Sequence, residues 1–458
     1  MLFHTWTFAL FFLVAYPVHL ALRHTRFRSH WLLLVSYVFY GAWNPLYLLL
    51  IVYSTWIDYA CVNRMSKSPR KKFWLGVSIL NNLGLLGFYK YAGFATENLN
   101  ALFASIGSGV HLPAPDVLLP VGISFYTFQS MSYTIDFYRG HIEREPNFIR
   151  FAAFVSLFPQ LVAGPIERAS NLLPQLQRNS PITRQAISEG MSLFVVGLFK
   201  KVAIADYLAV YVDRVYSDPG QHHSPALILA TFAFGWQIFC DFSGYTDMAR
   251  GIGRMMGFRF MLNFNNPYLA TGLGDFWARW HISLSTWFRD YVYIPLGGNR
   301  KGTWGTYQNM FITMVISGLW HGAAWTFIVW GLLHALGRVG TRELERTAVY
   351  RERVPKLVKQ AMVFVFVTFT WIFFRAEDMP QAWTIISRIF TSGWADPRFP
   401  LLALGLVLAL WAYQYMIESR AKVVFDNPAV RVAGIVAMVV YIAVFPAASD
   451  QAFIYFQF

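Results

Sequence analysis

Apolar residues fall in long runs along this chain, and clusters of basic residues separate several of them. Uncharged stretches occupy residues 2–22, 31–57, 73–89, 117–135, 151–166, 224–240, 310–333, 360–374, 399–417 and 432–449. Runs of this kind predict membrane-spanning α-helices, which need about 20 residues each. Helices are the expected element because hydrocarbon offers no partner to an open sheet edge. Several runs are shorter than a span, and 31–57 is longer.

Charge placement bears on that long run. Arg23, Arg26 and Arg28 precede it, and Arg64, Lys67, Arg70, Lys71 and Lys72 follow it. Basic loops favour the cytoplasmic side, and a single crossing would put these two on opposite sides. The run contains Asn44-Pro45, a helix-breaking pair. Two readings follow. In one, two half-helices dip in and return, shielded by protein. In the other, one long tilted helix carries a proline kink.

Further interruptions appear downstream. The run 151–166 carries Pro159, Gly164 and Pro165 and leads into Glu167-Arg168. Lys200-Lys201 directly follow an apolar stretch and read as an interfacial stop. Residues 239–257 mix Asp241, Asp247, Arg250 and Arg254 with aromatics and glycines. Asp241 and Asp247 would not share a face on one helix. The first run lacks a basic leader and an A-x-A exit, so it reads as a span rather than a signal peptide.

Composition agrees with a polytopic protein. Charged residues make up 14% of the chain, well below the roughly 25% of soluble domains. A single integral domain over residues 1–458 is expected. The net charge of +14 sits in short loops beside apolar runs, which fits membrane lipid headgroups and argues against nucleic acid. Cys61 and Cys240 lie far apart and form no disulfide or metal-binding pattern. No metal site is expected, and no bound cofactor.

The candidate chemistry concentrates in residues 275–325. His321 is the ionisable residue of the run 310–333, bracketed by Gly318 and Gly322. Burial favours its neutral form, which can accept a proton. It reads as a general base, or as a histidine packed between helices. The two glycines make room for a substrate or another helix. His281 lies among Arg279, Trp280, Ser283, Trp287 and Arg289, a pattern that an interfacial amphipathic helix would also give. Arg300 and Lys301 follow Gly297-Gly298 and offer a phosphate contact or a plain basic turn. Asp136, Glu167, Asp206, Asp241, Asp247 and Asp275 are candidate buried ion-pair partners for arginine. The chain carries no G-x-S-x-G elbow and no HExxH motif.

The segments RWHISLSTWFRDYVYIPLGGNR and SGLWHGAAWTFIVWGLLHA, with FPQLVAGPIER, GLFKKVAIAD, FNNPYL, WIFFRAED and FIYFQF, resemble the membrane-bound O-acyltransferase (MBOAT) family. The likeness is greatest to its bacterial polysaccharide branch, which serves alginate acetylation. The resemblance implies an all-α fold of about ten to thirteen transmembrane and re-entrant helices around a central tunnel. It implies His321 and His281 as catalytic residues. Trp280, Trp320, Arg279, Arg300 and Lys301 would bind substrate. Acetyl-CoA is the implied donor substrate. A periplasmic SGNH-type acetyltransferase and an exopolysaccharide biosynthesis and secretion complex are the implied partners, at a bacterial inner membrane. A transporter for an acetyl donor or small solute is the competing class, and a scaffold for a polysaccharide synthase is a third.

Overall fold

The computed structural model describes residues 1–162, 164–445 and 453–454. Ala163 of FPQLVAGPIER, residues 446–449 of the last apolar run and residues 455–458 of FIYFQF lie outside that set. Among the described residues the secondary structure is helical, with no strand. Three helical segments among the described residues are long and apolar enough to cross a membrane: Pro45–Met65, Ser224–Met255 and Lys356–Arg375. Trp6–Leu22, Leu401–Ile417 and Pro428–Val444 are apolar but shorter. The chain divides into two compact units. One comprises Met1–Phe194 and Ala249–Met261, and the other Val195–Met248 and Leu262–Phe458.

The first unit contains α1 (Trp6–Leu22), α2 (Arg28–Gly41), α3 (Leu48–Met65), α4 (Lys71–Leu86), α5 (Ala92–Ser105), α6 (Ile123–Tyr138), α7 (Phe148–Ser156), α8 (Phe158–Leu161) and α9 (Ala169–Gln177). It also holds most of α10 (Arg184–Phe199). The run 31–57 is not one kinked helix. It breaks after Gly41, and Asn44 caps the turn that leads into α3, its side chain accepting from the Leu46 N–H at 3.0 Å. Of the two pieces, Pro45–Met65 is of full span length and Arg28–Gly41, with 14 residues, is shorter. The run 151–166 forms two short buried helices, α7 and α8, broken at Leu157 with Pro159 in the first turn of α8. Arg28 is no free loop charge. Its guanidinium donates to the carbonyls of Gln175, Leu176 and Arg178 at 2.9–3.2 Å, closing the end of α9.

The second unit contains α11 (Asp206–Ser217), residues 224–248 of α12 (Ser224–Met255), α13 (Leu273–Arg279), α14 (Ile282–Phe288), α15 (Gly302–His321), α16 (Trp325–Arg346), α17 (Lys356–Arg375), α18 (Met379–Thr391), α19 (Leu401–Ile417), α20 (Lys422–Asp426) and α21 (Pro428–Val444). Two sequence expectations fail here. Lys200-Lys201 is not an interfacial stop. Lys201 is 1% exposed and its Nζ lies 2.8 Å from Asp206 and 2.9 Å from Asp241. Lys200 pairs with Asp247 at 2.7 Å. The two adjacent lysines answer the two different faces of α12 on which the aspartates stand. α12 runs on past Cys240 to a length of 32 residues.

The run 310–333 is likewise not a single span. It breaks at Gly322–Ala324, where the backbone is extended, and folds into the α15–α16 hairpin. Gly318 and Gly331 set the closeness of the two helices. A Cβ on Gly318 would lie 2.2 Å from the Phe327 carbonyl oxygen, and one on Gly331 2.5 Å from that of Met314. The room beside His321 is therefore taken by a helix. His321 itself sits at the hairpin tip and not at mid-span.

Candidate active site

His321 is the last residue of α15 and is 3% exposed. Aromatic rings enclose it. Trp320 lies at 5.0 Å, Trp330 of α16 at 5.1 Å and Phe374 of α17 at 5.3 Å, each at a steep interplanar angle. Such edge-to-face contacts fix the imidazole without supplying a charge.

His281 lies in the break between α13 and α14, fully buried, with φ 42° and ψ 54°. This left-handed backbone is strained for a residue with a Cβ and persists only where neighbours enforce it. Asn263 does so. Its carbonyl accepts the Ile282 N–H at 2.9 Å. Its side-chain oxygen meets the Ser283 N–H at 3.2 Å, the Ser283 hydroxyl at 2.9 Å and Nδ1 of His281 at 3.1 Å. An amide oxygen only accepts, so Nδ1 carries the hydrogen and Nε2 is left as the basic nitrogen. Burial lowers the His281 pKa to about 3, so the ring is neutral at ordinary pH.

The two histidines, on separate elements, meet through one side chain. Trp320 stands 6.1 Å from the His281 ring and 5.0 Å from the His321 ring. Those two steps bound the imidazoles to within about 11 Å of each other. A cavity of about 130 Å³ is lined by Trp277, Ser285, Arg289, Thr313, Met314 and Ser317, and by neither histidine. Ser285 and Ser317 each lie four residues from a histidine, one helical turn along.

The other proposed binding residues divide. Trp280 is 1% exposed and stacks on Phe276 at 5.6 Å and against Trp371 at 5.1 Å, inside the aromatic core. Arg279 is engaged by Asp275 at 2.7 Å and Glu418 at 2.6 Å. Arg300 and Lys301 are exposed and precede α15, whose 20 residues put them about 30 Å from His321 along the helix. The turn is fastened to α15 by Asn309, which donates to the Gly298 carbonyl at 2.8 Å.

Two residues escaped the sequence reading. Trp330 is fully buried between His321 and His334, the latter ring at 4.6 Å. His334 is also fully buried, with Nε2 2.9 Å from the Thr370 hydroxyl, which itself donates to the Val367 carbonyl. A histidine directly following an apolar run was the available signal.

Residues 135–376 match the model of the MBOAT, membrane-bound O-acyltransferase family. The chain is 42% identical over 400 residues to the "Probable alginate O-acetylase AlgI" of Pseudomonas aeruginosa, covering 86% of this chain and 75% of that protein. It is 35% identical over 390 residues to the peptidoglycan O-acetyltransferase of Helicobacter pylori, covering 79% and 73%. It is 29% identical over 242 residues to the teichoic acid D-alanyltransferase of Bacillus subtilis, covering 49% and 60%. The transporter and scaffold readings give way to an enzyme. This chain belongs to the membrane-bound O-acyltransferase family and is a multi-pass membrane acyltransferase.

Proposed function

We propose that this enzyme takes an acetyl group from a cytoplasmic thioester, acetyl-CoA, and passes it across a bacterial inner membrane for O-acetylation of an exopolysaccharide such as alginate or cellulose. The observation that carries the chemistry is the Trp320 bridge between two buried imidazoles. The names of the relatives, which concern alginate, peptidoglycan and teichoic acid, support a polymer outside the membrane as the final acceptor.

In this mechanism His321 takes the proton of an acceptor hydroxyl as its oxygen attacks the thioester carbonyl. The C–S bond then breaks, and the imidazolium returns the proton to the leaving thiolate. Positioned general-base help is worth about 10²–10⁴ in rate. His281, tied through Nδ1 to Asn263, positions Trp320 and through it the His321 ring. The Trp330 indole N–H is buried with no hydrogen-bond partner among the described residues. A buried donor of that kind suits the developing oxyanion. Arg289 at the cavity takes a charge of the donor. A periplasmic SGNH-type acetyltransferase, working with the polymer's biosynthesis and secretion complex, receives the acetyl group.

The test uses purified protein in detergent with acetyl-labelled acetyl-CoA and a small hydroxyl acceptor. Label should leave the thioester without any gradient. Consumption of another acyl thioester with acetyl-CoA untouched would overturn the donor assignment.

A further inference from the structure

In the first unit, Asp58 stands on the buried face of α3, which is of membrane-spanning length and composition. Its side chain is fully buried. The Ser78 hydroxyl donates to one carboxylate oxygen at 2.6 Å, and the Asn82 amide reaches both at 2.9 Å. The Ser130 hydroxyl donates to the other oxygen. Asn82 is itself held by Ser54 at 3.1 Å. Three helices, α3, α4 and α6, therefore converge on one carboxylate, and none of the donors carries charge.

Among the described residues no base pairs with Asp58. Lys90 lies eight residues beyond Asn82, about 12 Å along the helix, and the other charged groups on neighbouring elements are engaged elsewhere or placed away. Arg64 of α3 lies over the Trp74 ring. Lys71 and Lys72 are exposed at the head of α4. On α6, Asp136 is 3.8 Å from His141 and the Tyr133 hydroxyl accepts the Glu145 N–H, while Tyr126 is buried. Arg150 of α7 pairs with Glu145, and Arg28 of α2 serves α9. Cys61 is the titratable neighbour on α3 itself.

A carboxylate buried in a span without a counter-charge is expensive, and neutral hydrogen bonds offset only part of the cost. A second feature points the same way. Thr55, one turn earlier on the same face of α3, is 1% exposed, and its hydroxyl has no hydrogen-bond partner among the described residues. We propose that Asp58 is a monocation site, in which one positive charge, a proton or a sodium ion, joins α3, α4 and α6. For sodium the oxygens available are those of Asp58, Ser78, Ser130 and Thr55, the hard ligands an alkali ion requires. The site lies in the first unit and uses none of the residues assigned to acyl transfer.

The experiment uses the full chain in detergent, with radioactive sodium at equilibrium and infrared titration of the protonated carboxyl band. Melting is followed in sodium against N-methylglucamine salts at constant ionic strength and across pH. The sodium arm predicts one bound ion per chain and a melting temperature that rises with sodium. The proton arm predicts a protonated carboxyl band at neutral pH and stability that falls as pH rises. Asp58→Asn should lose the bound ion or the band and melt independently of both variables. Ser130→Ala, which keeps the carboxylate, should weaken the site about tenfold. Wild-type protein with no bound sodium and no protonated carboxyl band at neutral pH would overturn the proposal, whatever the variants do.

Discussion

Trp320 stands edge-on to both candidate-site imidazoles, 6.1 Å from His281 at 67° and 5.0 Å from His321 at 81°. Its ring sets the distance between two histidines that are forty residues apart in sequence. Trp320→Phe should keep most activity. Trp320→Ala should lower kcat about 10²-fold, the scale on which catalytic geometry is lost by small misplacements. Steady-state kinetics on proteins of matched melting temperature would check this. Equal activity in the alanine variant would deny the bridge a role.

Asn263 sets the tautomer of His281 and holds it in a strained backbone. Asn263→Asp would place an anion against the Nδ1 hydrogen and raise the imidazole pKa from about 3. The acid limb of the kcat profile should move to higher pH by a unit or more. Stability carries the same signature. His281 binds its proton near 6.5 when unfolded and near 3 when folded. The unfolded state therefore takes up more protons between those values, and stability present above 6.5 is lost as pH falls through that window. His281→Gln should flatten the dependence of melting temperature on pH across it.

Lys201 faces two buried carboxylates, Asp206 and Asp241. Lys201→Met would leave two anions without their counter-charge, a change worth about 3–5 kcal/mol. Lys200→Met removes one pair, with Asp247, in a less buried setting and should cost less. Denaturation midpoints of the two variants would rank them. The reverse order would mean that the triad is not what holds α12 against the turn after α10.

How far the sequence revealed this arrangement depended on where each feature was decided. The helical, membrane-embedded character is written in local composition, and the break at Asn44-Pro45 in local backbone chemistry. The break after His321 was not legible. Gly322–Ala324 carry no charge, so the run 310–333 reads as continuous. What folds it is the tertiary approach of Gly318 to Phe327 and of Gly331 to Met314. Lys201 looked like a boundary because its partner Asp241 lies forty residues on, and only the fold shows the charge neutralised.

The site divides the same way. His321 was visible as a lone ionisable group in an apolar run, and its motif carried the family resemblance. His281 looked like part of an interfacial helix, because the residue that gives it meaning, Asn263, lies eighteen positions upstream. Arg279 looked available for substrate, but Asp275 and Glu418 already engage it. Trp330 and His334 went unnoticed because indole and imidazole in an apolar helix read as packing until their rings are seen against His321 and Trp277.

In the proposed mechanism His321 is the base that drives acyl transfer. The most direct measurement is single-turnover acetyl transfer by purified, folded His321→Ala protein beside wild type. The account predicts a loss of about 10²–10⁴ in the rate of the chemical step, with acetyl-CoA binding little changed. Transfer at the wild-type rate would contradict it and remove His321 from the mechanism.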